Sequence, residues 1–137
     1  MEFGGINYLA VAAAGAAGFV TGAIWYTALG KAWMTAASLS EEDVKPKPTL
    51  FVIAALCQLI IAWVLAGLVG HLGEGQVTLR NGLISAAFVW FGFVLTTQIV
   101  NHRFQGRPWS LTAIDCGHWL AVLLVQGAVI GLIGVGS

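Results

Sequence analysis

The sequence has little charge of either sign. Its 137 residues include six Lys or Arg and six Asp or Glu, together 9% of the chain, whereas 58% of the residues are apolar. A small soluble domain needs a charged surface around its core, and twelve charged side chains are too few to provide one. With a net charge of zero, nothing in the composition suggests nucleic acid as a partner, since that would call for a clustered basic surface. The composition therefore predicts a protein whose surface is covered by lipid.

Cysteine is also scarce, with only Cys57 and Cys116 in the chain, which excludes a disulfide framework. Neither cysteine has the spacing of a metal-ligand pair, so both are interpreted as small buried apolar residues and no metal site is predicted. The sequence contains no Ser-His-Asp, Cys-His or paired-carboxylate constellation and no glycine-rich phosphate loop. We therefore expect neither an enzyme nor a cofactor.

Long apolar runs are what the sequence does have. Four runs reach the length of about 20 residues that a bilayer core requires, and only helices of this length satisfy their own backbone in lipid. We predict an all-α, polytopic membrane protein that forms a single domain over residues 1–137, with transmembrane helices at 7–29, 50–72, 78–100 and 112–135. Only Glu2 precedes the first run, without the positive charge of a secretory signal peptide, so we expect this helix to be retained.

The connections set the predicted orientation. Segments 30–49 and 101–111 contain five of the six Lys and Arg residues, and a tight turn at 73–77 contains Glu74. The positive-inside rule places the two basic segments in the cytoplasm and both termini outside. Ser40 followed by Asp43 resembles a capping box, so a short surface helix is predicted to begin there, within segment 30–49.

Several short motifs carry a resemblance to a known family. They are Trp25-Tyr26, Gly30-Lys31-Ala32-Trp33-Met34, Trp90-Phe91-Gly92-Phe93, Asn101, Phe104-Gln105-Gly106-Arg107-Pro108-Trp109, Asp115-Cys116-Gly117-His118 and Gly127-Ala128. With them the chain resembles, over almost its whole length, the bacterial membrane proteins catalogued as domain of unknown function 1761. It departs from that family at Thr27-Ala28, where a Ser-Pro is frequent, and at His118, where an aromatic residue is frequent. The resemblance implies a four-helix protein of a bacterial inner membrane and implies no activity.

Polar residues inside transmembrane helices are costly, so each is a candidate for function. On the fourth helix Asp115, His118 and Gln126 fall on one stripe, and Asp115 is expected to pair with His118 at i,i+3. A rise of 1.5 Å per residue places polar side chains of four helices at similar depth, which predicts a polar pocket open to the cytoplasm. The candidates for this pocket are Asp115, His118, Gln58, Thr21, Thr97, Gln98, Asn101 and Trp25. The alternative is that each polar side chain only hydrogen-bonds a neighbouring helix.

Small residues follow a second pattern. Ala14, Gly18 and Gly22 on the first helix and Gly127 and Gly131 on the fourth recur at intervals of four, the spacing of close helix packing in membranes. A four-helix bundle can bury one such seam internally, so two seams suggest that one of them is a contact in a homo-oligomer.

Three functional hypotheses remain open. The first is a protein that binds or passes a small polar solute or a proton through the cytoplasm-facing pocket. The second is a structural or accessory subunit that packs against itself or a larger membrane complex. The third is a lipid-interacting protein whose headgroup contacts lie at the membrane interface, at Lys31, Trp33, Arg103, Arg107 and Trp109.

Overall fold

Four helices are long and apolar enough to cross a membrane in the computed structural model, which describes residues 6–73 and 75–135. The spans are α1 (Tyr8–Ala28), α3 (Pro48–Gly70), a third span (Leu79–Phe104) and α6 (Trp109–Ile133), and a short α2 (Gly30–Ala37) follows α1. The third span consists of α4 (Leu79–Val89), a π-helical segment (Trp90–Leu95) and α5 (Thr96–Phe104). Helices make up 80% of the described residues. The predicted all-α fold with four spans is confirmed, and the chain is an integral membrane protein.

Two boundaries differ from the prediction by about one turn. The third span continues to Phe104 rather than ending at residue 100, and α6 begins at Trp109 rather than at residue 112. Hydropathy marks only the part of a helix that lies in hydrocarbon, whereas the backbone continues its hydrogen bonding into the polar interface. The longer third span puts His102 on a helix instead of in a loop.

Segment 30–49 contains a helix, but not where Ser40 predicted it. Ser40 donates from its backbone nitrogen and its hydroxyl to Asp43 Oδ2, both at 2.8 Å, and residues 41–44 form a turn. These hydrogen bonds, the backbone one first, hold the pKa of Asp43 below its ordinary value. The helix is instead α2, which nearly continues α1 because Trp33 N donates to Leu29 O at 2.8 Å.

The connection predicted at 73–77 includes Glu74, which lies outside the described residues. Gly73 and Gly75 on either side of it have φ angles of 120° and 76°. Residues with a side chain rarely adopt such φ angles, so glycine suits both positions of this connection.

Helix α6 lies at the centre of the bundle and packs most extensively against α4 and α1. The contact with α4 is made by backbone: a Cβ added to Gly82 would collide with the Gly127 carbonyl, and one added to Gly131 would collide with the Thr78 carbonyl. Gly127 and Gly131 therefore act as helix-packing residues within one chain.

The two ends of the bundle differ in character. Asn7 caps α1 by accepting from the backbone nitrogens of Leu9 and Ala10 at 3.0 and 3.3 Å, and it donates to Gly134 O at 3.2 Å. This contact holds the first and last described turns together at one end. Residues 29–47 and 105–108 lie together at the opposite end, joined by a hydrogen bond from Arg107 Nη1 to Ala37 O at 3.2 Å. We call this end of the bundle the basic-loop end.

Candidate functional site

The only acidic residue in the four spans, Asp115, lies in the second turn of α6 at the basic-loop end. Its Oδ1 accepts a hydrogen bond from the Tyr26 hydroxyl of α1 at 2.7 Å. Its Oδ2 lies 3.9 Å from His102 Nε2 of α5, with the two side chains only 13% (His102) and 20% (Asp115) exposed. The carboxylate therefore joins groups from two other helices in a partly buried site.

Thr112 extends this cluster toward the surface. Its Oγ1 lies 2.8 Å from His102 Nδ1 and accepts a hydrogen bond from Arg103 Nη2 at 2.9 Å. Arg103 Nη2 also donates to Arg107 O at 2.8 Å. A chain of polar contacts thus runs from the second basic segment through Thr112 and His102 to Asp115 and Tyr26. We call Tyr26, His102, Thr112 and Asp115 the polar cluster.

Helix α2 covers the polar cluster from the outside. The Trp33 ring packs edge-on against the Tyr26 ring, with centroids 5.5 Å apart. Ala36 and Ala37 are buried against Leu111 in a small apolar core of their own. Helix α2 therefore packs beside Tyr26 at the edge of the polar cluster, in which the His102 and Asp115 side chains remain 13% and 20% exposed.

His118 does not pair with Asp115 in the way the i,i+3 spacing predicted. Its ring lies beside the Tyr26 ring and the Trp119 ring, with centroids 4.8 and 4.6 Å apart. His118 is 6% exposed, and its Nδ1 has no hydrogen-bond partner among the described residues. Tyr26 thus contacts Asp115 through its hydroxyl and His118 through its ring.

Gln58 and Gln126 form a separate polar pair deeper in the bundle. Gln126 Nε2 donates to Gln58 Oε1 at 2.7 Å and to Gln58 O at 3.3 Å. A Cβ on Gly18 would collide with both side-chain amides, so this glycine makes room for the pair. Gly22, one turn along α1, plays the same role for His118, whose Nε2 would lie 2.9 Å from an added Cβ. Gln126 lies two turns beyond His118, about 12 Å along α6.

The remaining pocket candidates do not converge on the polar cluster. Thr21 and Thr97 donate to carbonyls of their own helices, those of Ala17 and Phe93, at 2.7 and 2.6 Å. Such back-bonding satisfies a hydroxyl without any partner helix. Thr97 and Asn101 are exposed on the third span and Gln98 is half-buried there.

Trp25 has a structural contact with α6. Its Nε1 donates to Ile114 O at 3.1 Å, and its ring lies against Gly117, where an added Cβ would be 2.8 Å away. From the other side of α6, Trp90 Nε1 donates to Cys116 O at 2.7 Å. The two indoles hold α6 between α1 and the third span next to Asp115.

The residues predicted to meet lipid headgroups divide into two groups. Lys31 is exposed, as is most of Trp109. Arg103 is half-buried, and its guanidinium carbon lies 3.7 Å from the centre of the Trp109 ring. Arg107 and Trp33 make the contacts with α2 and Tyr26 described above. Much of this basic, aromatic rim therefore supports the polar cluster from within the chain.

Ala14 completes the set of predicted packing residues. It is fully buried in the core between α1 and α3, together with Ala62 and Leu65. Both small-residue seams pack inside the bundle, so neither is left free as the oligomer contact that the sequence suggested. Among the described residues there is also no group of three or more His, Cys, Asp or Glu side chains placed to hold a metal ion.

Sequence reasoning missed the roles of Tyr26, His102 and Thr112. The Trp25-Tyr26 motif could have pointed to Tyr26, because it was part of the family resemblance. His102 and Thr112 carried no such signal, since each lay at or beyond a predicted helix boundary.

The motifs that supply these contacts lie in the part of the chain that matches a known family. Residues 9–131 match the family described as Protein of unknown function (DUF1761). The chain belongs to this family. The resemblance seen in the sequence is thereby confirmed, and the polar cluster of this DUF1761 protein lies wholly inside the matched residues. No curated protein and no solved structure matches the chain.

Proposed function

We propose that this DUF1761 protein binds a proton at the polar cluster, from the side of the membrane on which the basic-loop end lies. The observation that supports the proposal is the position of His102, whose two ring nitrogens each face an oxygen on α6. One is Thr112 Oγ1 at 2.8 Å and the other is Asp115 Oδ2 at 3.9 Å. Histidine is the side chain whose charge ordinarily changes between pH 5 and 8.

Thr112 lets the site accommodate either protonation state of His102. A hydroxyl has one donor and two acceptor positions, and Arg103 occupies one acceptor position. When the imidazole is neutral, the Thr112 hydroxyl can donate to Nδ1; when it is charged, Nδ1 donates to the hydroxyl oxygen. Only the hydroxyl hydrogen has to rotate, so a proton can be gained without moving the helices.

Asp115 supplies the countercharge. A charged imidazolium 3.9 Å from a carboxylate forms an ion pair in a partly buried site, where such attraction is stronger than in water. Arg103 on the same helix opposes the added charge, and the neutral Tyr26 hydroxyl of α1 orients the carboxylate. Beyond His118, the next polar group on the α6 stripe is Gln126, and the fully buried Val122 lies between them. The proposed proton binding is therefore confined to one end of the bundle.

Infrared difference spectroscopy of the protein in lipid bilayers tests the proposal. On acidification we expect imidazole bands of His102 to change together with the carboxylate bands of Asp115, because the two side chains lie 3.9 Å apart. Asp115→Asn should remove the carboxylate change, and His102→Gln should remove both. Thr97→Val is the matched control, since its hydroxyl bonds only its own helix.

Two results would contradict proton binding at this site. One is a spectrum in which acidification changes neither imidazole nor carboxylate bands. The other is a difference spectrum that Asp115→Asn and His102→Gln leave like that of the Thr97→Val control.

A second candidate function is assembly with another copy or with a larger membrane complex. The low burial of the third span favours assembly. Only 6% of the most apolar stretch of this span is buried, whereas the corresponding share is 28% in α1, 28% in α3 and 39% in α6. Phe88, Phe91 and Phe93 of this span are 75%, 66% and 72% exposed. Purification in a mild detergent, with the mass of the protein measured by light scattering, tests it: a monomer that copurifies with no other protein contradicts this function.

A further inference from the structure

The third span directs two side chains, Trp90 and His102, at the same helix. Trp90 Nε1 donates to Cys116 O of α6 at 2.7 Å. The ring nitrogens of His102 face Thr112 Oγ1 and Asp115 Oδ2 of α6. Trp90 and His102 are twelve positions apart in the sequence, and an α-helix turns about 100° per residue, which would leave them about 120° apart around the helix axis. A regular α-helix would therefore not direct both side chains at α6.

The π-helical segment (Trp90–Leu95) removes this difference in direction. In a π-helix each backbone hydrogen bond spans five residues instead of four, so its turn holds one residue more than an α-turn. We call this the extra residue. Because the extra residue is taken up by the wider turn, Trp90 and His102 are separated by the equivalent of about eleven α-helical positions, which leaves them about 20° apart. Both side chains then lie on the face toward α6.

The wider turn faces away from the bundle. Phe91, Gly92 and Phe93 are exposed, and a Cβ on Gly92 would meet nothing within 4 Å. Before this turn, α4 is held against α6 by the backbone contact of Gly82 with Gly127. After it, α5 has no buried residue. Packing therefore fixes the direction of α4, whereas the number of residues in the π-helical segment sets the direction of α5.

Asn101 is the residue that a regular α-helix would bring to the place of His102. It lies eleven positions after Trp90, so the two would be about 20° apart in an uninterrupted α-helix. In the structure Asn101 is exposed and His102 is half-buried. An imidazole gains a proton near neutral pH, whereas the carboxamide of asparagine does not titrate. The extra residue therefore decides whether a titratable side chain lies beside Asp115.

We infer that the extra residue of the π-helical segment positions His102 for proton binding, because it sets the register in which His102 rather than Asn101 faces Asp115. The segment has a positioning role, since it acts through His102. The charged or titratable groups around this imidazole are Asp115 of α6, Tyr26 of α1, which donates to Asp115, and Arg103 of α5, which shares Thr112. The positioning role rests on the proton binding proposed above, but the register itself involves no proton and is measured separately.

A matched pair of variants of the full chain tests the inference. Deletion of Gly92 removes the extra residue without removing a side chain, so the third span should become a continuous α-helix in which His102 keeps its direction. Insertion of one alanine after Gly92 should instead turn His102 about 100° away from Asp115 and bring Asn101 to its place. If the segment did not set the register, the deletion would turn His102 away by the same angle as the insertion.

Disulfide formation in lipid bilayers reports the register. Cys57→Ser and Cys116→Ala first remove the native thiols. One set of chains then carries Thr112→Cys with His102→Cys, and the other carries Thr112→Cys with Asn101→Cys. The first pair should crosslink in the chain of wild-type length and after the deletion, and the second pair should replace it after the insertion. A deletion that lowers crosslinking of the first pair as far as the insertion does would overturn the inference.

Infrared difference spectroscopy connects the register with the proton site, in variants that keep the native cysteines and the polar cluster. During acidification the imidazole and carboxylate changes should share one midpoint in the wild type and in the Gly92 deletion. They should no longer share it after the insertion, because His102 has left Asp115. A shared midpoint in an insertion variant that crosslinks through residue 101 would overturn the positioning role. Absence of both changes from the wild type would overturn this role together with proton binding, whereas the crosslinks would still decide the register.

Magic-angle-spinning NMR of the wild type in bilayers does not depend on how the variants fold. Cross-peaks should connect the Trp90 indole nitrogen with the Cys116 carbonyl carbon, and the His102 ring with the Thr112 side chain. A regular α-helix would not give this combination. Cross-peaks of Asn101 with Thr112 in place of those of His102 would overturn the inference.

Discussion

The contact between α4 and α6 gives a sharp prediction about stability. Gly82 and Gly127 face each other, and a Cβ on either would lie closer than 3.0 Å to the carbonyl group of the other. Both colliding groups are backbone, so no side chain can rotate away. Carbon atoms need about 3.5 Å or more, and Gly82→Ala would therefore force the two helices about 1 Å apart over the largest helix interface in the protein.

Overpacking of this kind typically costs about 1–3 kcal/mol, and rigid backbone on both sides puts Gly82→Ala at the upper end, about 3 kcal/mol. Gly70→Ala is the control, because an added Cβ there meets nothing within 4 Å. Alanine is intrinsically better in a helix than glycine by up to about 1 kcal/mol, so this control should be neutral or stabilising. The free energies of unfolding of Gly82→Ala and Gly70→Ala are measured in mixed micelles that contain an increasing fraction of a denaturing detergent. Equal stability of the two variants would refute the close backbone contact.

Two further predictions concern other sites. Gln126→Leu should destabilise the fold by about 1–3 kcal/mol because it leaves the Gln58 amide buried without its partner. The double variant with Gln58→Leu and Gln126→Leu should recover most of that loss, because neither amide is then buried unpaired. A double variant less stable than the single variant in the same unfolding assay would contradict this prediction. Asp43 has a pKa below its ordinary value through Ser40, so the turn gains stability above the unfolded pKa of about 3.9 and loses it as the pH falls through the lower folded value. Ser40→Ala should raise the pKa of Asp43 in a carboxyl NMR titration, and an unchanged titration would show that the hydrogen bonds do not form in solution.

The sequence was sufficient for the spans because hydrocarbon imposes a length and a composition that few other structures share. It was insufficient for the partner of Asp115. The fourth helix predicted Asp115 and His118 on one stripe, and both do lie next to Tyr26. His102, however, was predicted to lie in a loop because hydropathy falls before the helix ends, so the imidazole 3.9 Å from Asp115 fell outside the predicted spans.

The glycines show a second limit of sequence reasoning. Gly18 and Gly22 have the spacing of a helix-packing seam, yet each accommodates a polar side chain, the glutamine pair and His118 respectively. Gly82, which carries the closest backbone contact, belonged to no predicted pattern. Spacing identifies a groove on a helix, but what fills the groove depends on the partner helix, which a single sequence does not specify.

The two ends of the bundle also differ in how closely the helices pack. Toward the chain termini, α4 and α6 touch through backbone, and the α3 stripe from Gln58 to Val69 is buried. Toward the basic loops, residues 48–57 of α3 are exposed, residues 87–104 of the third span include no buried residue, and polar side chains make several of the contacts between helices. Loosely packed regions are where proteins place groups that must change state. The proposed proton site at His102 uses the half of the bundle that helix packing leaves incomplete.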